Sequence, residues 1–209
     1  EPSGVLSARV TEDLALLENE HVRLAFRRNA FGFGPGELSV ATPSGWQTVG
    51  WLPRLARLVV EDAKGVRREQ AVSATRPPQA RTDAPARLAF QWEAPSSEPG
   101  ACRIGVAFEL AAGEKSIAAD YQLSSTEPCK LVAFDGPMVY AVERDEAVFP
   151  GLEWLVDDEV SSSTLDIAEG HPHQVRYVVH PNMVTIPAVG IHGRHGTVGL
   201  VWDVHQKWD

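Results

Sequence analysis

The stretch Ile104-Gly-Val-Ala-Phe-Glu-Leu-Ala-Ala-Gly-Glu-Lys-Ser-Ile-Ala-Ala-Asp-Tyr-Gln-Leu123 decides the fold class. Ile104, Val106, Phe108 and Leu110 fall on one face of an extended chain, and Ile117, Ala119, Tyr121 and Leu123 repeat the pattern. Successive side chains of a strand point to opposite faces, so period-two alternation of β-branched and aromatic residues marks a half-buried strand. Ala111-Ala-Gly-Glu-Lys115 supplies the turn, and the whole reads as a β-hairpin.

The same alternation recurs along the chain. Val22, Leu24 and Phe26 carry it, as do Leu88, Phe90 and Trp92. So do Val175, Tyr177 and Val179, then Val184 and Ile186, and finally Val198, Leu200 and Trp202. The alternation assigns Trp202 to the core. Gly32-Phe-Gly-Pro-Gly36, Pro43-Ser-Gly45, Ala63-Lys-Gly65 and Gly193-Arg-His-Gly196 read as turns, and residues 70–87 and 94–100 as loops. Leu52–Val60 is the one helical candidate, but Leu58-Val-Val-Glu61 suits a strand better. The expected fold is all-β: a two-sheet antiparallel β-sandwich of about a dozen short strands. Residues 1–209 are expected to form a single domain.

Charge narrows the classes of partner. The net charge is −9 and lies in the second half. Residues 1–105 hold 12 acids and 13 bases, whereas residues 106–209 hold 16 acids and 6 bases. Between 143 and 169 nine acids face Arg144 alone. A nucleic-acid interface needs the opposite sign, so nucleic acid is not an expected partner. No apolar run reaches the ~18 residues of a membrane-spanning helix, so no membrane partner is expected.

The residues with the most chemistry follow Phe149-Pro-Gly151. Glu153 and Trp154 are the pair a sugar site uses: an indole packs on the C–H face of the ring, and a carboxylate accepts from its hydroxyls. The plainer reading has Trp154 and Leu155 in the core and Glu153 in water. Asp157-Asp158-Glu159 offers hard oxygens of the kind calcium prefers, but not the spacing of a calcium-binding loop. No cofactor is expected on this reading, with calcium as the minor alternative. Six of the seven histidines lie between His171 and His205. His171 and His173 share a face if extended, yet nothing in the spacing makes three ligands converge on zinc. The candidate carbohydrate contacts are Glu153, Trp154, Asp157, Asp158, His171, His173, Arg176, His180 and Trp208.

Catalytic readings are thinner. Paired carboxylates of a glycoside hydrolase stand ~5 to 9 Å apart, a distance no sequence reveals. Glu153 with His173 or His180 would be an acid–base pair for a sugar epimerase. No phosphate-binding loop or nucleophile elbow is present. Cys102 and Cys129, the only cysteines, fit either a cross-sheet disulfide or two buried thiols.

Leu17-Glu-Asn-Glu-His-Val-Arg-Leu-Ala-Phe26, Trp46-Gln-Thr-Val49, Gly113-Glu-Lys-Ser-Ile-Ala-Ala-Asp-Tyr-Gln-Leu123 and Phe134-Asp-Gly-Pro137 together resemble the strands of galactose-mutarotase-like supersandwich domains. Such domains act as aldose epimerases or as accessory modules of glycoside hydrolases and polysaccharide lyases. The epimerases use two histidines and then a glutamate, whereas here only His21 precedes Glu153. The resemblance therefore implies a module without its own catalytic residues, in a secreted or periplasmic carbohydrate-active protein. It would bind a glycan or polysaccharide, or complete the cleft of an adjacent catalytic domain of the same chain. A docking module with no ligand is the third expectation.

Overall fold

The computed structural model describes residues 5–94, 102–149, 154–159 and 186–203. Among these every regular element is a strand, so the chain is all-β, and the sheets are antiparallel. The chain divides into two compact units, Glu1–Tyr140 and Ala141–Asp209.

In the first unit the chain meanders through β1 (Ser7–Val10), β2 (Leu14–Glu18), β3 (Val22–Asn29), β4 (Gly32–Thr42) and β5 (Gly45–Leu52), each paired with the next. It continues through β6 (Ala56–Asp62), β7 (Arg67–Val72), β8 (Gln79–Arg81), β9 (Ala86–Glu93), β10 (Cys102–Leu110), β11 (Ala118–Ser125) and β12 (Cys129–Asp135). These build two more sheets, ordered β12-β6-β7 and β11-β10-β9-β8. The two-residue β13 (Tyr140–Ala141) lies beside β5. In the second unit β14 (Glu146–Val148), β15 (Trp154–Val156), β16 (Ala188–Gly193) and β17 (Gly196–Val201) form a sheet ordered β15-β14-β16-β17.

The hairpin read from residues 104–123 is present: Ile104 faces Leu123, Val106 faces Tyr121 and Phe108 faces Ala119. Leu58–Glu61 is strand, as preferred over helix, within β6, while residues 53–55 connect it to β5. Three expectations are corrected. Gly32–Gly36 is not a turn but the start of β4, because Gly36 pairs with Phe26 on one side and Leu52 on the other. The supposed loop 70–87 contains β8, which takes its hydrogen bonds from β9 despite the flanking prolines. Trp202 is not core: it follows β17 and is 39% exposed. The expected strands around Val175–Val179 and Val184 lie outside the described residues, and Ile186 stands in a bend.

One apolar interior serves all three sheets of the first unit. It gathers Leu17, Leu24 and Phe26 from the meander, Leu58, Val60 and Val72 from β6 and β7, and Leu88, Phe90, Ile104, Val106 and Phe108 from β9 and β10. Each such side chain contributes ~1.5–3 kcal/mol on leaving water. Phe26 meets Phe90 edge to face at 4.8 Å and Phe108 at 5.9 Å. The phenyl ring of Phe26 lies so near β4 that a Cβ on Gly36 would stand 2.7 Å from its edge. Glycine at 36 therefore lets an aromatic ring pack directly on backbone.

A buried amide ties two turns together. Asn19 is fully buried. Its Nδ2 donates to Ala111 O (2.9 Å) and Glu114 O (2.8 Å) in the β10–β11 turn, and its Oδ1 accepts from His21 N (2.9 Å) and Val22 N (3.0 Å). All four hydrogen-bonding positions of the amide are filled. Asn19→Ala would strand two carbonyls and two N–H groups, each costing ~1–3 kcal/mol where water cannot reach. We expect a loss of about 3 kcal/mol in urea unfolding, with Asn19→Asp no better because it lacks the two donors. Unfolding midpoints equal to wild type for both variants would refute the clamp.

Candidate functional site

A cleft of about 190 Å³ opens on the first unit. Its floor is apolar, made by Phe26, Phe33, Leu52 and Leu55, all buried. Its rim carries Phe31, Asn29, Arg54 and Ser73. Three segments supply these groups: the β3–β4 turn, the β5–β6 connection and the end of β7.

The local sequence explains how the turn is held. Asn29 pairs with Gly32 across the hairpin, leaving Ala30 and Phe31 at the tip. Asn29 Oδ1 accepts from Phe31 N at 2.8 Å, and Asn29 Nδ2 donates to Gly34 O. Gly32 adopts φ +127, and a Cβ there would meet Ala74 O at 2.5 Å. The chain can thus run against Ala74, where Phe33 N donates to Ala74 O at 2.6 Å and the two residues form a bridge. With the backbone fixed in this way, the ring of Phe31 points outward and is 89% exposed. An aromatic side chain left in water at the mouth of a cleft is the unusual feature here, since exposed large apolar groups are what mark binding surfaces.

Arg54 is half-buried on the rim, and among the described residues it enters no ion pair within 4 Å. Its neighbour Arg57 differs. Arg57 Nε and Nη2 donate to the two oxygens of Glu69 (2.7 and 2.9 Å), and its Nη1 donates to Asp135 (2.7 Å). Arg57 joins three strands, β6, β7 and β12, as a structural cation. Arg54 makes no such ion pair, although its charge helps to hold the Glu69 carboxyl below its usual range after that of Arg57.

The face of the meander opposite the core holds a second polar cluster. Glu18, 3% exposed, accepts from Arg23 Nε (2.8 Å) and Nη2 (2.6 Å), and the Arg23 guanidinium stacks 4.2 Å above the Trp46 ring. Glu37 accepts from Thr48 Oγ1 at 2.6 Å. The Glu18 charge is thus matched by Arg23, as a buried ion must be, whereas Glu37 is held by hydroxyls. Trp46 Nε1 is a buried donor with no partner among the described residues.

Of the candidate contacts singled out from sequence, Asp157 and Asp158 are the two whose side chains are described. Glu153, His171, His173, Arg176, His180 and Trp208 lie outside the described residues. Trp154 pairs with Val148 in β15, and its side chain is likewise outside them, while the adjacent Leu155 is buried. Asp157 and Asp158 form an exposed turn after β15, with Asp157 at φ +51. Arg144 Nη2 donates to the carbonyls of Asp157 and Glu159, and Glu159 Oε2 accepts from Val156 N at 3.0 Å. The turn therefore uses one of its three carboxylates to cap itself. Among the described residues no three His, Cys, Asp or Glu side chains converge to hold a metal ion. His192 Nδ1 lies 2.9 Å from Thr197 Oγ1 across β16 and β17.

Phe31 and Arg54 had no place in the alternation-based reading, because both sit in connections between strands. The available signal was Asn29-Ala-Phe-Gly32, which sets a large aromatic where hairpin turns favour small or polar residues. Comparison with known proteins adds no identity: no family model, curated protein or solved structure matches the chain.

Asp62 shows how this chain uses carboxylates to fix turns. Its Oδ1 accepts from Val66 N (3.0 Å) and Lys64 N (2.9 Å), and its Oδ2 from Arg68 Nη1 (3.2 Å). The Val66 N–H, then Lys64 N–H and Arg68, hold its carboxyl below the usual aspartate range. A depressed carboxylate stabilises the fold above its unfolded pKa of about 3.9, and that contribution is lost as pH falls through the lower folded value. We expect an NMR carboxyl titration of Asp62 to have its midpoint below about 3.9. Arg68→Ala should raise that midpoint only in part, since the Val66 N–H remains. A wild-type midpoint at or above the unfolded value would contradict this account.

Proposed function

We propose that the chain is a glycan-binding β module of an extracytoplasmic carbohydrate-active protein, of the galactose-mutarotase-like kind, with its strands closing as stacked sheets. The module binds saccharide rather than transforming it, or completes the cleft of a neighbouring catalytic domain. The observation that carries this reading is Phe31, 89% exposed at the mouth of a cleft with a polar rim. A sugar ring presents a C–H face to an aromatic ring and hydroxyls to donors and acceptors around it. Phe31 supplies the platform, and Arg54 and Ser73 supply the polar contacts. The Asn29 amide is already spent on the turn.

Several further features support it. Three sheets share one core in the first unit, which is how layered β folds bury their inner faces. In the second unit Glu143, Asp145, Asp157, Asp158 and Glu159 are all exposed, an anionic surface able to accept from hydroxyls. Glu153, Trp154, His171, His173, Arg176, His180 and Trp208 remain the proposed contacts of that region.

Docking to a neighbouring domain is favoured by one separate observation. Val201 is 83% exposed and Trp202 39% exposed, at the end of β17. Adjacent apolar side chains left in water suit burial against a partner domain.

Titration with a panel of neutral and uronic-acid oligosaccharides, followed by amide shifts in NMR, tests the glycan reading. Saccharide should move the resonances of residues 29–36 and 52–55. Phe31→Ala should weaken binding by about fivefold, the equivalent of ~1 kcal/mol of stacking, without lowering the melting temperature. A panel that shifts nothing, or a Phe31→Ala protein that binds as wild type does, would overturn it.

A further inference from the structure

Cys102 and Cys129 sit where two sheets meet within the first unit. Cys102 opens β10 and pairs in register with Ser125, the last residue of β11. Only Thr126, Glu127 and Pro128 separate Ser125 from Cys129, which opens β12 in the other sheet. The turn is pinned by Ser125 Oγ donating to Glu127 O at 2.7 Å. The chain therefore brings the second cysteine back beside the first. Cys102 is 1% exposed, and Cys129 is half-buried against the same core cluster, near enough for its thiol to act on that of Cys102. Neither is in a disulfide in this structure.

We propose that Cys102 and Cys129 are a disulfide-forming pair, a covalent staple between the β11-β10-β9-β8 sheet and the β12-β6-β7 sheet. The oxidant is a low-molecular-weight disulfide, and the route is thiol–disulfide exchange. Cys129, the more exposed, attacks as thiolate, forms a mixed disulfide and expels the first thiolate of the oxidant. Cys102 then loses its proton, attacks the Cys129 sulfur and expels the second thiolate. Two cysteine thiols are oxidised, one external disulfide is reduced to two thiols, and the two protons pass to the leaving thiolates. Burial, reinforced by the neighbouring thiol, pushes the Cys102 thiol up to about 11. The resolving step therefore quickens as pH rises from 7 to 9, because more of Cys102 becomes thiolate.

The pairing has structural value because β12 is an edge strand, paired in its sheet with β6, and otherwise held by side-chain packing such as Phe134 on Tyr121. A bond at its first residue anchors that strand to β10, which lies at the centre of the shared core. Closing this loop restricts the unfolded chain and not the folded one, so it raises the melting temperature. The inference stands independently of glycan binding.

Incubation of the whole chain with oxidised glutathione, followed by mass spectrometry and thiol counting in denaturant, tests it. The expected product is monomeric, lighter by two hydrogens, with free thiols falling from two to none and a melting temperature higher by about 5–10 °C. Dithiothreitol should reverse every change. Cys129→Ser should abolish the closure and the thermal gain while keeping the fold, and Cys102→Ser should stop at a stable Cys129–glutathione adduct. Should Cys102→Ser fail to fold, Cys129→Ser and the wild-type mass still decide. A wild-type protein that keeps both thiols, halts at the glutathione adduct or forms only disulfide-linked dimers would overturn the proposal.

Discussion

Phe26 is the residue on which both the core and the cleft of the first unit depend. One side of its ring packs against Phe90 and Phe108, which belong to the sheet of β9 and β10. Another lies on the backbone at Gly36 and contributes to the cleft floor. The same ring therefore joins two sheets and shapes the surface that solvent meets. A side chain of different shape would alter packing and cleft together, because protein interiors are too dense to absorb such a change locally. The bare backbone at Gly36 follows from that constraint, and Gly32 plays the same part against Ala74. Each allows a segment to come closer than a Cβ would permit.

Several charged and amide groups of the first unit are taken up by the fold itself. Glu18 is taken up by Arg23, Arg57 by Glu69 and Asp135, and the Asn19 amide by four backbone groups. These are structural uses of charge and amide, even though the residue types also serve in catalysis. Arg54 stands apart in lining the same cleft as the exposed Phe31 while making no ion pair within 4 Å among the described residues. Functional readings gain weight from that contrast rather than from residue type alone.

Strand content was legible in the sequence because alternation is a local consequence of backbone geometry. The 104–123 hairpin carries a full-length pattern with a glycine-bearing turn between its arms, and no competing period. Trp202 marks where this reasoning stops. Alternation with Val198 and Leu200 says which side of a strand a residue takes, but not whether anything covers that side. Gly32–Gly36 was misread for a related reason: glycine and proline signal a turn only when no neighbour supplies hydrogen bonds, and here β3 and β5 both do. The cleft was invisible, since it assembles from three connections far apart in sequence. Within it Phe31 alone left a trace, as an aromatic in a hairpin tip.

The Asn19 amide reaches partners 92 and 95 residues away along the chain. Contacts so distant can form only after both hairpins exist, since bringing remote segments together costs chain entropy before any bond rewards it. The clamp is thus a latch rather than a seed. It contributes to how long the finished molecule persists more than to how fast it assembles.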